Sequence, residues 1–115
     1  MAQYLLSMIQ PGGGDEVPPP DVLAVIMAEV QLLREALTAQ GSWVFGNGLE
    51  STSAAAVVRT GEGGTVVSDG PYRTAPEHLG GITVIDVADR DEALAWAARY
   101  AEVTTLPVEV RPFRP

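Results

Sequence analysis

Two strand-like stretches of this chain are apolar on both of their faces, while only two stretches carry a helical pattern. Residues 3–9 place Tyr4, Leu6 and Met8 on one side and Leu5 and Ile9 on the other. Residues 82–87 repeat this, Ile82 and Val84 against Ile85 and Val87. A strand of that kind needs cover on both sides. The chain has 115 residues, enough for one domain spanning 1–115 with one modest core. Two helices shield one face of a four-stranded sheet. A soluble monomer does not leave several hundred Å2 of the other face bare. The expected cover is a second copy of the chain, a homodimer formed through the sheet face about a two-fold axis.

The remaining elements follow in order. Residues 11–20 (PGGGDEVPPP) read as a loop. Asp21 is placed as an N-cap, and Leu23, Ile26, Val30, Leu33 and Leu37 then fall at spacings of three and four, the stripe of a helix. Gly41 stands where a left-handed residue ends such a helix. Residues 43–49 (WVFGNGL) form a strand in which Gly46 and Gly48 mark a bulge or a close approach to the backbone. Residues 55–59 and 65–68 make a hairpin around the Gly61-Glu62-Gly63-Gly64 tip, which lacks the Lys-Ser/Thr ending of a phosphate loop. Asp89 and Glu92 have capping-box spacing, and the helix they open runs to about residue 101, packing Ala93, Leu94, Ala97 and Ala101. Residues 108–111 alternate as a last strand. Without the hairpin the order is βαββαβ. That is an α+β, ferredoxin-like fold with an antiparallel sheet.

Composition removes several functional classes. There is no cysteine, hence no disulfide, thiolate nucleophile or zinc–sulfur site, in keeping with a cytoplasmic protein. One histidine, His78, does not make a metal site within one chain, and no cofactor is expected. The seven basic residues include no lysine, the net charge is −8, and no basic run exists to displace counterions from phosphate. Nucleic acid and anionic membrane are therefore not expected partners. No apolar run reaches the roughly 20 residues of a membrane span, and the first ten residues have no secretory-signal pattern.

Ser68-Asp69-Gly70-Pro71-Tyr72, followed by Glu77-His78-Leu79-Gly80-Gly81, resembles the DGPF branch of the YCII-related family, in which Asp-Gly-Pro-Phe precedes a Glu-Thr-Lys-Glu segment and then Leu-Gly-Gly. Tyr4-Leu5-Leu6, residues 89–98 and Val108-Glu109-Val110-Arg111-Pro112 resemble the family's first strand, second helix and closing strand. Tyr72 replaces the usual Phe, Thr74 and Pro76 stand for the usual Glu and Lys, and His78 for an amide, while Glu77 keeps the second acidic position. The resemblance implies a dimeric α+β barrel with a cleft beside the Asp-Gly-Pro turn. The resemblance extends to related members associated with dechlorination of aromatic-breakdown intermediates and to others that sit beside extracytoplasmic-function sigma factors, while most have no established activity.

Asp69, Glu77 and His78 are the titratable cluster near a strand end. A carboxylate with a histidine suits general acid–base work, so Asp69 and His78 are the candidate catalytic residues. Tyr72, Glu77 and Arg73 are the candidate substrate contacts. Asp-Gly-Pro is equally good turn chemistry. Neighbours on an extended segment point opposite ways, so Glu77 and His78 do not pair with each other. Arg73 and Arg111 either clamp a substrate carboxylate or pair with the many acids. Trp43, Phe45 and Trp96 are assigned to core or pocket wall. Two functions fit. One is proton transfer (isomerisation, elimination or lactone chemistry) on a small organic acid or cyclic metabolite. The other is a non-catalytic ligand-binding or regulatory module with a protein partner such as a sigma factor.

Overall fold

In the computed structural model, which describes residues 1–12 and 17–115, β1 (Ala2–Pro11) runs through the middle of a four-stranded antiparallel sheet. It pairs with β5 (Glu77–Val87) on one side and β6 (Val108–Pro112) on the other. β2 (Trp43–Gly48) flanks β5, giving the order β2–β5–β1–β6. Helix α1 (Pro20–Ala39) links β1 to β2, and α2 (Arg90–Thr104) links β5 to β6. This is the ferredoxin-like βαββαβ arrangement read from the strand and helix order. The hairpin of β3 (Ala56–Gly61) and β4 (Gly64–Asp69) is a separate two-stranded sheet inserted between β2 and β5. Residues 13–16 of the proline-rich stretch read as a loop lie outside the described residues.

Both helices cover one face of the sheet. The core between them holds Tyr4 and Leu6 of β1, Ile85 and Val87 of β5, Leu33 and Leu37 of α1, and Ala93, Trp96, Ala97 and Tyr100 of α2. Three local details differ from the sequence reading. Helix α1 is capped by Pro19, with Pro20 at its first position, because proline's fixed φ suits that site and its missing N–H costs nothing there. Asp21 instead lies in the first turn, where its charge complements the helix dipole. On α2 the buried stripe is Ala93, Trp96, Ala97 and Tyr100, since two aromatic rings fill the space that Leu94 and Ala101 were expected to fill. Glu92 accepts from the Ala88 N–H at 3.1 Å, one residue before the cap, while the Asp89 carboxylate accepts from the Glu92 N–H at 2.9 Å. Gly41, at φ +79°, follows the C-cap Gln40 as expected.

A bulge at Val44 shifts the register of β2, so Trp43 shares the helix side with its partner Ile85 whereas Phe45, opposite Val84, points to the other side. Trp96 thus lies in the core and Trp43 packs against it, but Phe45 is exposed, contrary to its assignment to core or pocket wall. Strand alternation puts Leu5, Ile9, Leu79, Ile82 and Val84 on Phe45's side, where no helix covers them. The molecule measures 19 Å in its smallest dimension, the thickness of one helical layer on one sheet.

Candidate functional site

The first half of α1 stands off from the sheet. Its buried side chains, Leu33 and Leu37, are both in the second half, whereas Leu23, Ile26 and Val30 of the same apolar stripe are only half-buried. They roof a cleft of about 780 Å3 whose floor is Met8 and Gln10 of β1, Gly80, Gly81 and Thr83 of β5, and Gly46 to Gly48 of β2. Trp43 closes one end, and Tyr100 and Thr104 to Leu106 form the back. Two glycines make the floor flat. A Cβ on Gly46 would sit 2.6 Å from the Trp43 ring and 3.1 Å from the Ile82 carbonyl, and one on Gly80 would sit 2.5 Å from Gln10 Oε1. The close approach expected at Gly46 is therefore the Trp43 indole lying over the backbone.

The cleft's exposed wall is mostly apolar, with Gln10, Gln31 and Asn47 and the hydroxyls of Thr83, Thr104 and Thr105 set among it. Tyr100 is 1% exposed, and its hydroxyl is buried with no hydrogen-bond partner. Burial pushes this phenol above its ordinary range, while the nearby Thr83 hydroxyl and the Arg34 and Arg99 guanidinium groups pull the other way. The Arg34 guanidinium also lines the cleft, 5.0 Å above the Trp43 ring in a cation–π contact. Sequence reasoning passed over Tyr100, Arg34 and Thr83. The signal available was Tyr100's place seven residues after Ala93, on the same helix face, because a buried tyrosine hydroxyl asks for a partner.

Of the five residues singled out from the sequence, His78 lies nearest this cleft. It pairs across the sheet with Gln10, one of the lining residues, and a bulge between Met8 and Ile9 keeps both on the helix side. His78 Nδ1 is 2.9 Å from the Gly12 carbonyl oxygen, which can only accept. Nδ1 is therefore the donor in this contact, which fixes the orientation of the ring. Glu77, next along the strand, is exposed opposite Pro11. Asp69 ends β4 and is exposed, paired with Ala56 of β3. Gly70 follows at φ +101°, donating its N–H to the Ala55 carbonyl at 2.7 Å, the turn role open to an Asp-Gly-Pro segment. Tyr72 is exposed with the Arg59 guanidinium 5.4 Å from its ring, and Arg73 is exposed in the same loop. Arg111 pairs with Glu109 at 2.6 Å on the surface. None of the five lines the cleft. Among the described residues, no three His, Asp or Glu side chains group as metal ligands would.

The fold and cleft define a small α+β domain of ferredoxin-like arrangement with an open, mostly apolar pocket under its first helix. The chain belongs to the YCII-related family, whose domain model matches residues 7–115. An uncharacterized protein of Rhizobium meliloti (strain 1021) is 44% identical over 66 residues, which cover 56% of this chain and 53% of that protein. The chain thus spans about half the length of the curated relative it matches. No helix is long and apolar enough to cross a membrane among the described residues.

Proposed function

We propose that this protein binds a small organic acid or cyclic metabolite in the cleft beneath α1, and that His78 at its mouth moves a proton on that molecule, in isomerisation, elimination or lactone chemistry. The observation that carries the reading is the unpacked half of α1. Leu23 and Ile26 face the sheet across a space of about 780 Å3 instead of closing on it, within the size range of small-molecule sites, while Val30 marks where the helix meets the core. His78 supports the chemistry because its Gly12 bond occupies Nδ1 and leaves Nε2 as the ring nitrogen open to a ligand, two residues along β5 from Gly80 on the cleft floor. The working form is a homodimer in the cytoplasm, the second copy lying on the face of Leu5, Phe45, Leu79 and Val84. Asp69, Tyr72 and Arg73, carried on or beside the projecting hairpin, join the site as acid and substrate contacts when that second copy is present.

The test is an NMR titration of the 15N-labelled protein with a panel of small carboxylic acids and lactones. The expected result is shifts at Trp43, Gly80 and Gly81, with His78→Gln retaining binding and losing turnover of any lactone the wild type converts. Shifts absent from those residues across the panel would sink the proposal. Placement of Asp69 on the hairpin, away from the cleft, favours a second reading, ligand binding without catalysis in a regulatory module. Retained binding with no turnover of any bound member supports that reading.

A further inference from the structure

We infer that Tyr100 is the anchor of this cleft, its hydroxyl donating to an oxygen of an otherwise apolar ligand, with Arg34 beside it selecting a carboxylate. The inference rests on the reading of the cleft as a ligand site and names the ligand's chemistry. The walls set the body of the molecule: Met8, Leu23, Ile26, Val30 and the face of the Trp43 ring offer apolar surface, which suits a ring or a short hydrocarbon chain. The head group is set by what the protein leaves unpaired. Tyr100 is 1% exposed, yet its hydroxyl makes no hydrogen bond of good geometry, only a weak approach to the Thr83 hydroxyl, and a buried hydroxyl left in that state is a cost that folded proteins rarely accept. Burial keeps the phenol protonated at neutral pH, so it serves as a donor and its complement is an acceptor oxygen. Arg34 supplies the charge. Among the described residues it has no acidic partner, only the Trp43 ring beneath it, so its guanidinium is available to a carboxylate.

Three probes with one ring system separate these parts: naphthalene, 2-acetylnaphthalene and 2-naphthoate, each titrated by NMR. Wild type is expected to bind both oxygen-bearing probes about tenfold or more tightly than naphthalene, the difference made by one good hydrogen bond. Tyr100→Phe should erase the preference for 2-acetylnaphthalene and reduce that for 2-naphthoate to what Arg34 supplies, while binding naphthalene as before. Arg34→Gln should weaken 2-naphthoate alone. The phenylalanine variant removes only the unpaired oxygen, so its melting temperature should equal or exceed that of wild type. If Tyr100→Phe keeps the wild-type preference, the anchor is overturned and the cleft reading stands. A lower melting temperature with the preference intact assigns the hydroxyl to the fold and also overturns the anchor. If no probe shifts the cleft residues of wild type, the cleft reading falls and takes the anchor with it.

Discussion

Single atoms decide the shape of the cleft. Gly46 has no Cβ, and the Trp43 indole occupies the room a methyl would take, with the Ile82 carbonyl and the Thr83 hydroxyl close behind at 3.1 and 3.0 Å. Gly46→Ala is therefore expected to push the indole up into the cleft. Overpacking of this kind costs about 1–3 kcal/mol, which chemical denaturation would measure. The variant should also lose ligand-induced shifts at Trp43. Gly46 was legible in advance, because glycine inside a strand pattern signals close approach. What approaches it was not, since the contact depends on the Val44 bulge that returns Trp43 and Gly46 to the same side. Tyr100 was hidden for a different reason. Its helix face could be counted from the sequence, but an unpaired hydroxyl is a statement about every neighbour at once.

Helix ends and helix faces are the scale at which the two helices are joined. Gln40, the C-cap of α1, donates from Nε2 to Glu92 in the first turn of α2 at 2.9 Å and to Ser42 Oγ at 2.8 Å. The Ala88 N–H, and then Gln40, hold the Glu92 carboxyl below the usual carboxylate range. A carboxyl lowered in the folded state contributes stability that is present above its unfolded value and lost as pH falls through its lower folded value. Wild type should accordingly lose stability across the acid side of the carboxylate range, and Glu92→Gln should flatten that part of the pH–stability curve. Thermal melts at pH 2 to 7 would show it, and superimposable curves for the two proteins would rule it out. The capping signal at Asp89 and Glu92 was plain from their spacing. The rotation of α2 toward Trp96 and Tyr100 was not, because alanine and leucine on one side and aromatic rings on the other both satisfy helical periodicity. The stripe on α1 was read correctly as apolar and facing the sheet. Its first half meets a cleft and its second half the core.

At the scale of the whole molecule, a 19 Å slab carries six apolar side chains on a sheet face that its own helices do not reach. The hairpin adds Val58, Val66 and Val67, each exposed by 60% or more, on a two-stranded ribbon of a kind that is marginal alone in water. The proposed dimer covers the face, and light scattering at micromolar concentration should find twice the 12.1 kDa chain mass. Phe45→Glu with Leu79→Glu changes two side chains already more than 40% exposed in the single chain. That double variant should stay folded and run at single-chain mass. A wild-type particle of single-chain mass would remove the second copy, and with it any contribution of Asp69, Tyr72 or Arg73 from across an interface.

Periodicity and turn chemistry determined the elements by themselves. Alternating apolar residues, helical stripes and Gly-Pro punctuation are local codes, and they suffice to write βαββαβ with its hairpin. They suffice too for the two-sided strands, since a strand's two faces follow from a period of two. The open cleft, the buried Tyr100 hydroxyl without a well-formed hydrogen bond and the location of His78 opposite Gln10 were decided only in three dimensions. Each depends on a strand register, a bulge or a gap between packed elements, and those are relations between residues far apart in the chain that no local pattern encodes.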